Sequence, residues 1–471
     1  MDMIINGRPH RTETTFDVLN PLNQQRIDSV PAAEEKDAKL SVDAAFNSFQ
    51  EWKNTSASER ADFLWRWYEL IDSHKEELAE TMTKEQGKPL KEALGEINYA
   101  NQYISWYAEE AKRIYGETIP ASTQNKRILI QKHPVGVIAA ITPWNFPAAM
   151  ITRKVAPAIA AGCSVLIKPA EQTPLTALRL VELAYEAGAP DGLINIVTGD
   201  AETISNVWMA DSRVRKLSFT GSTEVGKLLM KKSADTMKRI SLELGGQAPF
   251  VVFEDADLDK AVDGAIASKF RNAGQTCICS NRFYVHASIA EAFTEKLIKA
   301  VKKLEVGDGL DPDTDIGPLI DKSAHEKVTR HINEAIENGA KAVAGGQGYE
   351  TNKGYFIEPT ILTDVSDSML CMREETFGPV LPVSTFTDEE TAIQKANDTP
   401  FGLAAYLFTE NLNKALLFSE KLDYGIVGLN DGSPSAAQAP FGGFKESGMG
   451  REGGHHGIQE YLETKYISIG L

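Results

Sequence analysis

Apolar positions change their period along the chain, and each change marks a region. In the first hundred residues the spacing is helical, with Ala38, Val42, Ala45, Phe46 and Phe49 on one helix face. Helices are predicted through this stretch, two of them separated by Gly87-Lys88-Pro89. Around 126–141 the runs KRILIQ and VGVIAAIT read as strands. From 135 to 245 strand and helix alternate. VGVIAAIT is followed by a helix from about Pro147 to Ala161, then by SVLIKP and a helix opened by Thr173 as N-cap and Pro174. INIVTG, a short helix, KLSFTG, a helix from Ser222 and RISLELG complete the series. Such alternation predicts a doubly wound parallel α/β sheet. A second alternating block runs from Pro249 to Asn430, with helices near 257–271, 288–304, 321–338 and 411–423. Two α/β domains joined near Gly245-Gly246 are expected. The terminal run TKYISIG is expected to join KRILIQ in a small third sheet, shared between subunits.

Composition narrows the class. The 471 residues are 42% hydrophobic and 24% charged, which excludes collagen-like and wholly disordered readings. Acidic residues outnumber basic ones 66 to 49, a formal charge of −17 that disfavours nucleic acid and anionic membranes as partners. A local arginine pair still accommodates a small anion. The apolar run Val155–Ile167 is shorter than the ~20 residues a membrane span needs, so it reads as buried core. The start MDMIINGRPH carries no basic-then-apolar leader. The four cysteines are too few for a disulfide framework, which points to a reducing, cytoplasmic setting.

Chemistry concentrates in a few loops. In FRNAGQTCICSNR, Cys277 lies between the end of a helix at Gly274 and a strand beginning at Asn281, among Gln275, Thr276 and Ser280. Those polar neighbours favour a reactive thiol over a small buried hydrophobe. Cys279, one residue further on, is a candidate redox partner through a small, strained and easily reduced ring; packing beneath the loop is its alternative role. In RISLELG, alternation makes Glu243 a solvated strand carboxylate, whereas the following Gly245-Gly246 implies a close backbone approach. Asn145 follows a strand in TPWNFP and is suited either to capping the next helix or to donating to an oxyanion. FTGSTEVG follows a strand and opens a helix, so Gly221 permits the turn and Ser222 offers donors to a pyrophosphate. Lys168 and Glu171 in KPAEQTP suit ribose hydroxyls. The histidines show no metal-ligand spacing, His455-His456 reading as a surface pair, and no Gly-x-Ser-x-Gly elbow is present.

Taken in order, TPWNFP, KPAEQTP, FTGSTEVG, LELGGQAP, GQTC, EETFGPV and PFGGFKESGMGRE make the chain resemble the NAD(P)-dependent aldehyde dehydrogenase superfamily over its whole length. The resemblance implies an aldehyde dehydrogenase-like α/β fold with a five-stranded nucleotide-binding domain (1–116 and 135–245), a catalytic domain (246–446) and an oligomerisation arm (117–134 and 447–471). It makes Cys277 the nucleophile, Glu243 the general base and Asn145, with the Cys277 backbone N–H, the oxyanion donor. It assigns Thr142, Trp144, Lys168, Glu171, Gly221, Ser222, Glu375 and Phe377 to the cofactor, and Lys154 and Glu452 to a proton relay.

Within the superfamily ITRKVAPAIAAG, FRNAGQTCICSNR and YLETKYISIGL are similar to succinate-semialdehyde dehydrogenases. There Arg153, Arg271, Ser435 and Phe441 line the substrate site, and the arginines meet a distal carboxylate. Ser433-Pro434 departs from the pattern, standing where two apolar residues are expected. The implied reaction takes an aldehyde through a cysteine thiohemiacetal and thioester to a carboxylic acid, with succinate semialdehyde as substrate. NAD is the expected cofactor because Glu171 meets a free 2′-hydroxyl; NADP is admissible through Lys168. A homodimer or homotetramer is expected. Glutarate semialdehyde or a general aliphatic aldehyde is the alternative substrate. An acylating, coenzyme A-dependent relative is disfavoured by Glu243, and a silent binding protein by Cys277, Glu243 and Asn145 together.

Overall fold

A computed structural model describes residues 1–351 and 354–471. The chain opens in strands rather than in the helices that apolar spacing predicts. Met3–Ile5 and Arg8–His10 form a hairpin turned at Asn6-Gly7, both residues at positive φ (54° and 71°), and Thr15–Leu19 pairs with Arg26–Pro31. Asn-Gly between short extended runs is a hairpin signal too local for helical periodicity to register. Helices follow only from Glu35, over Glu35–Trp52, Ala57–Ser73, Lys75–Gln86 and Leu90–Glu110.

The larger sheet holds five parallel strands in the spatial order Ile194–Ile196, Ser164–Lys168, Val137–Ile141, Val214–Thr220, Arg239–Glu243. Met3–Ile5 and Gly448–Met449 extend it antiparallel at its two sides. In chain order the five read 3-2-1-4-5, so the direction of winding reverses between Val137–Ile141 and Val214–Thr220. A doubly wound sheet opens its ligand crevice at such a reversal, beyond the carboxyl ends of the strands. Both faces are covered. Ile138 and Ala140 belong to one core with helices Ala57–Ser73, Lys75–Gln86 and Leu90–Glu110, while Val137, Ala139 and Ile141 belong to another on the opposite face with Ala38, Val42 and Ala45 of helix Glu35–Trp52.

Helix Ala149–Ala161 is buried along its whole length, Arg153 and Lys154 included. Helix Pro174–Glu186 begins where expected, but Thr173 does not cap it. The buried carboxylate of Glu85 does so from another helix, accepting from Leu175 N (2.7 Å) and Thr176 N (2.9 Å). The Thr173 hydroxyl turns instead to the Trp144 carbonyl.

The second sheet has six parallel strands ordered Thr360–Thr363, Val380–Phe386, Ser280–His286, Ala248–Val252, Ala404–Phe408, Ile426–Leu429, with Lys341–Ala344 antiparallel at one edge. Cross-strand stacking of Phe250 with Phe283 and Phe408, each at 4.7 Å, centres its core. The third sheet forms within the chain: Leu462–Gly470 pairs antiparallel with the whole of Lys126–Pro134, and Glu117–Ile119 flanks it. No helix is long and apolar enough to cross a membrane among the described residues.

Candidate active site

Asn145, Lys168, Ser222 and Glu243 each stand at or just past the carboxyl end of a parallel strand, and Thr220 and Glu243 are register partners. Cys277 comes from the other sheet, on the loop that leads into Ser280–His286. That loop is built on left-handed backbone. Asn272 and Ala273, both non-glycine, have φ of 53° and 54°, a conformation that persists only where the surroundings impose it.

Neither Glu243 nor Asn145 takes the role that local pattern alone favours. Glu243 is 2% exposed, not solvated, and neither carboxylate oxygen has a hydrogen-bond partner among the described residues. Burial, reinforced by the neighbouring Glu452 carboxylate, holds its proton well above the usual carboxylate range, against the pull of Arg153 and Lys154. Asn145 does not cap helix Ala149–Ala161; the buried Glu96 carboxylate occupies that end, accepting from Ala148 N (2.9 Å) and Ala149 N (3.2 Å). The Asn145 amide instead donates to the Gln275 carbonyl at 3.0 Å, two residues before Cys277. The opposite amide orientation would set two oxygens together, so this one is fixed chemically.

Cys277 is half-buried, and burial pushes its thiol up to about 11, with Arg153 and Arg271 working to lower it and Glu375 and Glu243 to raise it. Cys279 is 1% exposed and its Sγ lies 3.4 Å from the Lys269 carbonyl, beneath the loop. Both thiols are free.

Two cavities meet at Cys277. One, of about 310 Å³, is lined by Trp144, Asn145, Gly221, Ser222, Glu375 and Phe377, among others. Ser222 caps helix Thr223–Ser233, accepting from Val225 N, so the positive end of that helix faces the cavity wall. Glu375 accepts from Gly246 N at 3.1 Å, and burial raises its carboxyl to about 7. Phe377, at φ 57°, stands edge-on to Trp144, ring centres 5.6 Å apart. Lys168, buried at its strand end, pairs with the more exposed Glu171, while Thr142 lies alongside, its N–H bonded to the Lys168 carbonyl. A helix amino end, a paired lysine and carboxylate, and a second carboxylate near the thiol fit a nicotinamide dinucleotide laid along this crevice. Among the described residues no three His, Cys, Asp or Glu side chains gather as a metal cage.

The other cavity, about 340 Å³, is lined by Phe146, Arg153, Arg271, Ser433, Ser435 and Phe441, among others. Its two arginines differ. Arg153 is 1% exposed, ion-paired with Glu452, and sits 4.6 Å over the Phe441 ring, with its Nη2 lacking a hydrogen-bond partner among the described residues. Arg271 lies 5.3 Å over the Phe146 ring and has no ion-pair partner among the described residues. Lys154 bonds both Thr220 Oγ1 (2.6 Å) and Glu452. Burial pushes the Glu452 carboxyl up, but Arg153 and Lys154 outweigh it and hold the group ionised.

Reading by motif passes over Lys88, Glu92, Glu96 and Asn272, which surround the Asn145–Cys277 junction. Lys88 looks like part of a helix-breaking Gly-Lys-Pro, and Glu92 and Glu96 lie one turn apart on a helix, a spacing ordinary for solvated carboxylates. Asn272 alone carried a signal, lying within the nucleophile motif.

Comparison with known proteins places the chain in a family. The sequence model of the aldehyde dehydrogenase family matches residues 8–467. The succinate-semialdehyde dehydrogenase [NADP(+)] of Escherichia coli is 54% identical over 97% of this chain and 94% of its own length. A glutarate-semialdehyde dehydrogenase of Pseudomonas putida is 52% identical over 97% of this chain and 95% of its own. The solved structure of an E. coli NADP-dependent enzyme superposes with a TM-score of 0.98 at 53% identity, covering 100% of this chain and 98% of that one.

Proposed function

The chain belongs to the aldehyde dehydrogenase family and is an oxidoreductase acting on aldehydes; from that premise we propose that it oxidises succinate semialdehyde to succinate, with Cys277 as nucleophile. One observation carries this reading: Cys277 lines two cavities at once, one suited to a dinucleotide and one holding two arginines. The likeness to succinate- and glutarate-semialdehyde dehydrogenases supports a substrate with a carboxylate at the far end.

The Cys277 thiolate adds to the aldehyde carbon, and the second hydrogen of the Asn145 amide, with the Cys277 backbone N–H, steadies the oxyanion. When bound, the nicotinamide dinucleotide supplies the hydride acceptor. Glu243, buried beside Glu452, acts in its ionised form and takes a proton from the water that hydrolyses the resulting thioester; the environment that raises its proton affinity makes that carboxylate a stronger base than an exposed one. Lys154 and Glu452 lie on the route by which that proton is passed on. Ser222, Lys168, Glu171 and Glu375 hold the cofactor, and Ser435, Arg153 and Arg271 the distal carboxylate. Of the arginines, Arg271 is the better anion partner, because Arg153 already neutralises Glu452.

We further propose that NAD is preferred, through Glu171 on the 2′-hydroxyl, and that the chain assembles as a homodimer or homotetramer through the third sheet. Tyr466 (60%), Ile469 (38%) and Leu471 (73%) are apolar and exposed there, which supports assembly; sedimentation velocity tests it. The substrate reading is tested by comparing kcat/KM for succinate semialdehyde, glutarate semialdehyde and butanal with both cofactors. A preference of at least about tenfold for an acid-bearing aldehyde is expected, since one charge-assisted bond contributes ~1.5–3 kcal/mol. Equal use of butanal overturns it.

A further inference from the structure

We infer that Lys88 and Asn272 are positioning residues that set the oxyanion donor Asn145 in register with the nucleophile Cys277, an inference that rests on the proposed role of Asn145. The Asn145 carbonyl accepts two hydrogen bonds, from Lys88 Nζ at 2.8 Å and from Asn272 Nδ2 at 3.0 Å. The same Asn272 amide nitrogen reaches the Gln275 carbonyl at 3.2 Å, which is also the acceptor for the Asn145 side chain. One amide thus ties the loop after Val137–Ile141 to the loop before Ser280–His286. These loops belong to different sheets.

Both clamping groups are themselves fixed. Lys88 is 2% exposed, pairs with the buried Glu96, and lies 4.1 Å over the Phe146 ring. Glu96 also terminates helix Ala149–Ala161, so one ion pair fixes the backbone on both sides of the Pro147 turn. Asn272 is 1% exposed; its backbone N–H bonds Glu92 at 2.8 Å, and its φ of 53° aims the side chain back across the loop. With its carbonyl held twice, Asn145 has little freedom to rotate its Cα–Cβ direction. An oxyanion donor works only where charge develops, and misplacement by about 1 Å costs on the order of a hundredfold in rate. Neither Lys88 nor Asn272 needs to touch substrate to matter.

The test uses N272G, K88M, N145A and the double variant N145A/N272G in the full-length enzyme. Glycine at 272 retains the left-handed backbone and deletes only the amide. The expected result is a kcat loss of about tenfold or more for N272G and K88M, with KM within about threefold of the parent. The rate of Cys277 alkylation by iodoacetamide should be unchanged, because alkylation forms no oxyanion. In the N145A background N272G should cause no further loss, as for residues acting through one another. Additive losses overturn the inference, as does alkylation slowed in parallel with turnover, which marks general damage to the loop. If N145A is slow while N272G and K88M keep parental kcat, the clamp is refuted and the donor role of Asn145 stands. Parental activity in N145A refutes that role and the clamp with it.

Discussion

Gly246 lies so close to Cys277 that a Cβ built on it would stand 2.4 Å from the Cys277 carbonyl oxygen. The contact is with backbone, so the cysteine loop must move to relieve it. G246A is therefore expected to reduce kcat by about tenfold or more while Tm falls only modestly, as misplacement of reacting groups is costlier to rate than to folding. Parental kcat in this variant would mean the loop has room to spare.

The thiol of Cys277 is raised to about 11 by its burial, so at neutral pH the thiolate is a minor species. Its alkylation by iodoacetamide should accelerate about tenfold per pH unit between pH 7 and 10, the slope for any acid below its pKa. A plateau reached by pH 8 contradicts this. C277S should lose aldehyde oxidation and retain cofactor binding by fluorescence titration.

Glu243 binds its proton more tightly folded than unfolded, since its native value lies well above the ordinary 4.5. The native state then holds more protons, and stability falls as pH rises from about 4.5 towards the native value, remaining lower beyond it. E243Q, neutral at every pH, should raise Tm more at pH 8 than at pH 5. The same variant should accumulate a covalent acyl-enzyme after one burst of reduced cofactor, read by intact-protein mass. Normal steady turnover would remove Glu243 from the role of base.

Glu171 pairs with Lys168, and on the proposed cofactor placement a 2′-phosphate would have to displace the carboxylate from that lysine. E171S is expected to shift the NADP/NAD ratio of kcat/KM upward by about tenfold, the worth of one charge-assisted bond. A parent enzyme that already favours NADP would reverse the assignment.

R271M should lower kcat/KM for succinate semialdehyde by about tenfold or more, and for butanal far less, because Arg271 lines the substrate cavity and makes no ion pair among the described residues. Equal losses on both aldehydes would make the arginine structural.

What the sequence determined by itself is whatever depends on neighbours within a few residues. Strand–helix alternation from 135 to 245 specified a doubly wound sheet because covered parallel strands must be apolar throughout, and the observed strands, such as Val137–Ile141, are buried at every position. Ser222 opened its helix as expected, since a cap is a contact across three residues. Its motifs likewise brought together Cys277, Glu243 and Asn145 as candidates. Tertiary structure decided the rest. Whether Glu243 is solvated or buried depends on a segment about two hundred residues later, which brings Gly442 against its carboxylate and Gly448–Met449 into pairing with its strand. Thr173 lost its cap to Glu85, and Asn145 its helix to Glu96, because a buried carboxylate satisfies two amide donors where a neutral side chain satisfies one. The bond from Asn145 to Gln275 spans 130 residues, and no local pattern encodes a partner at that distance. It exists because the sheet reversal and the entry to a strand of the second sheet meet at one crevice.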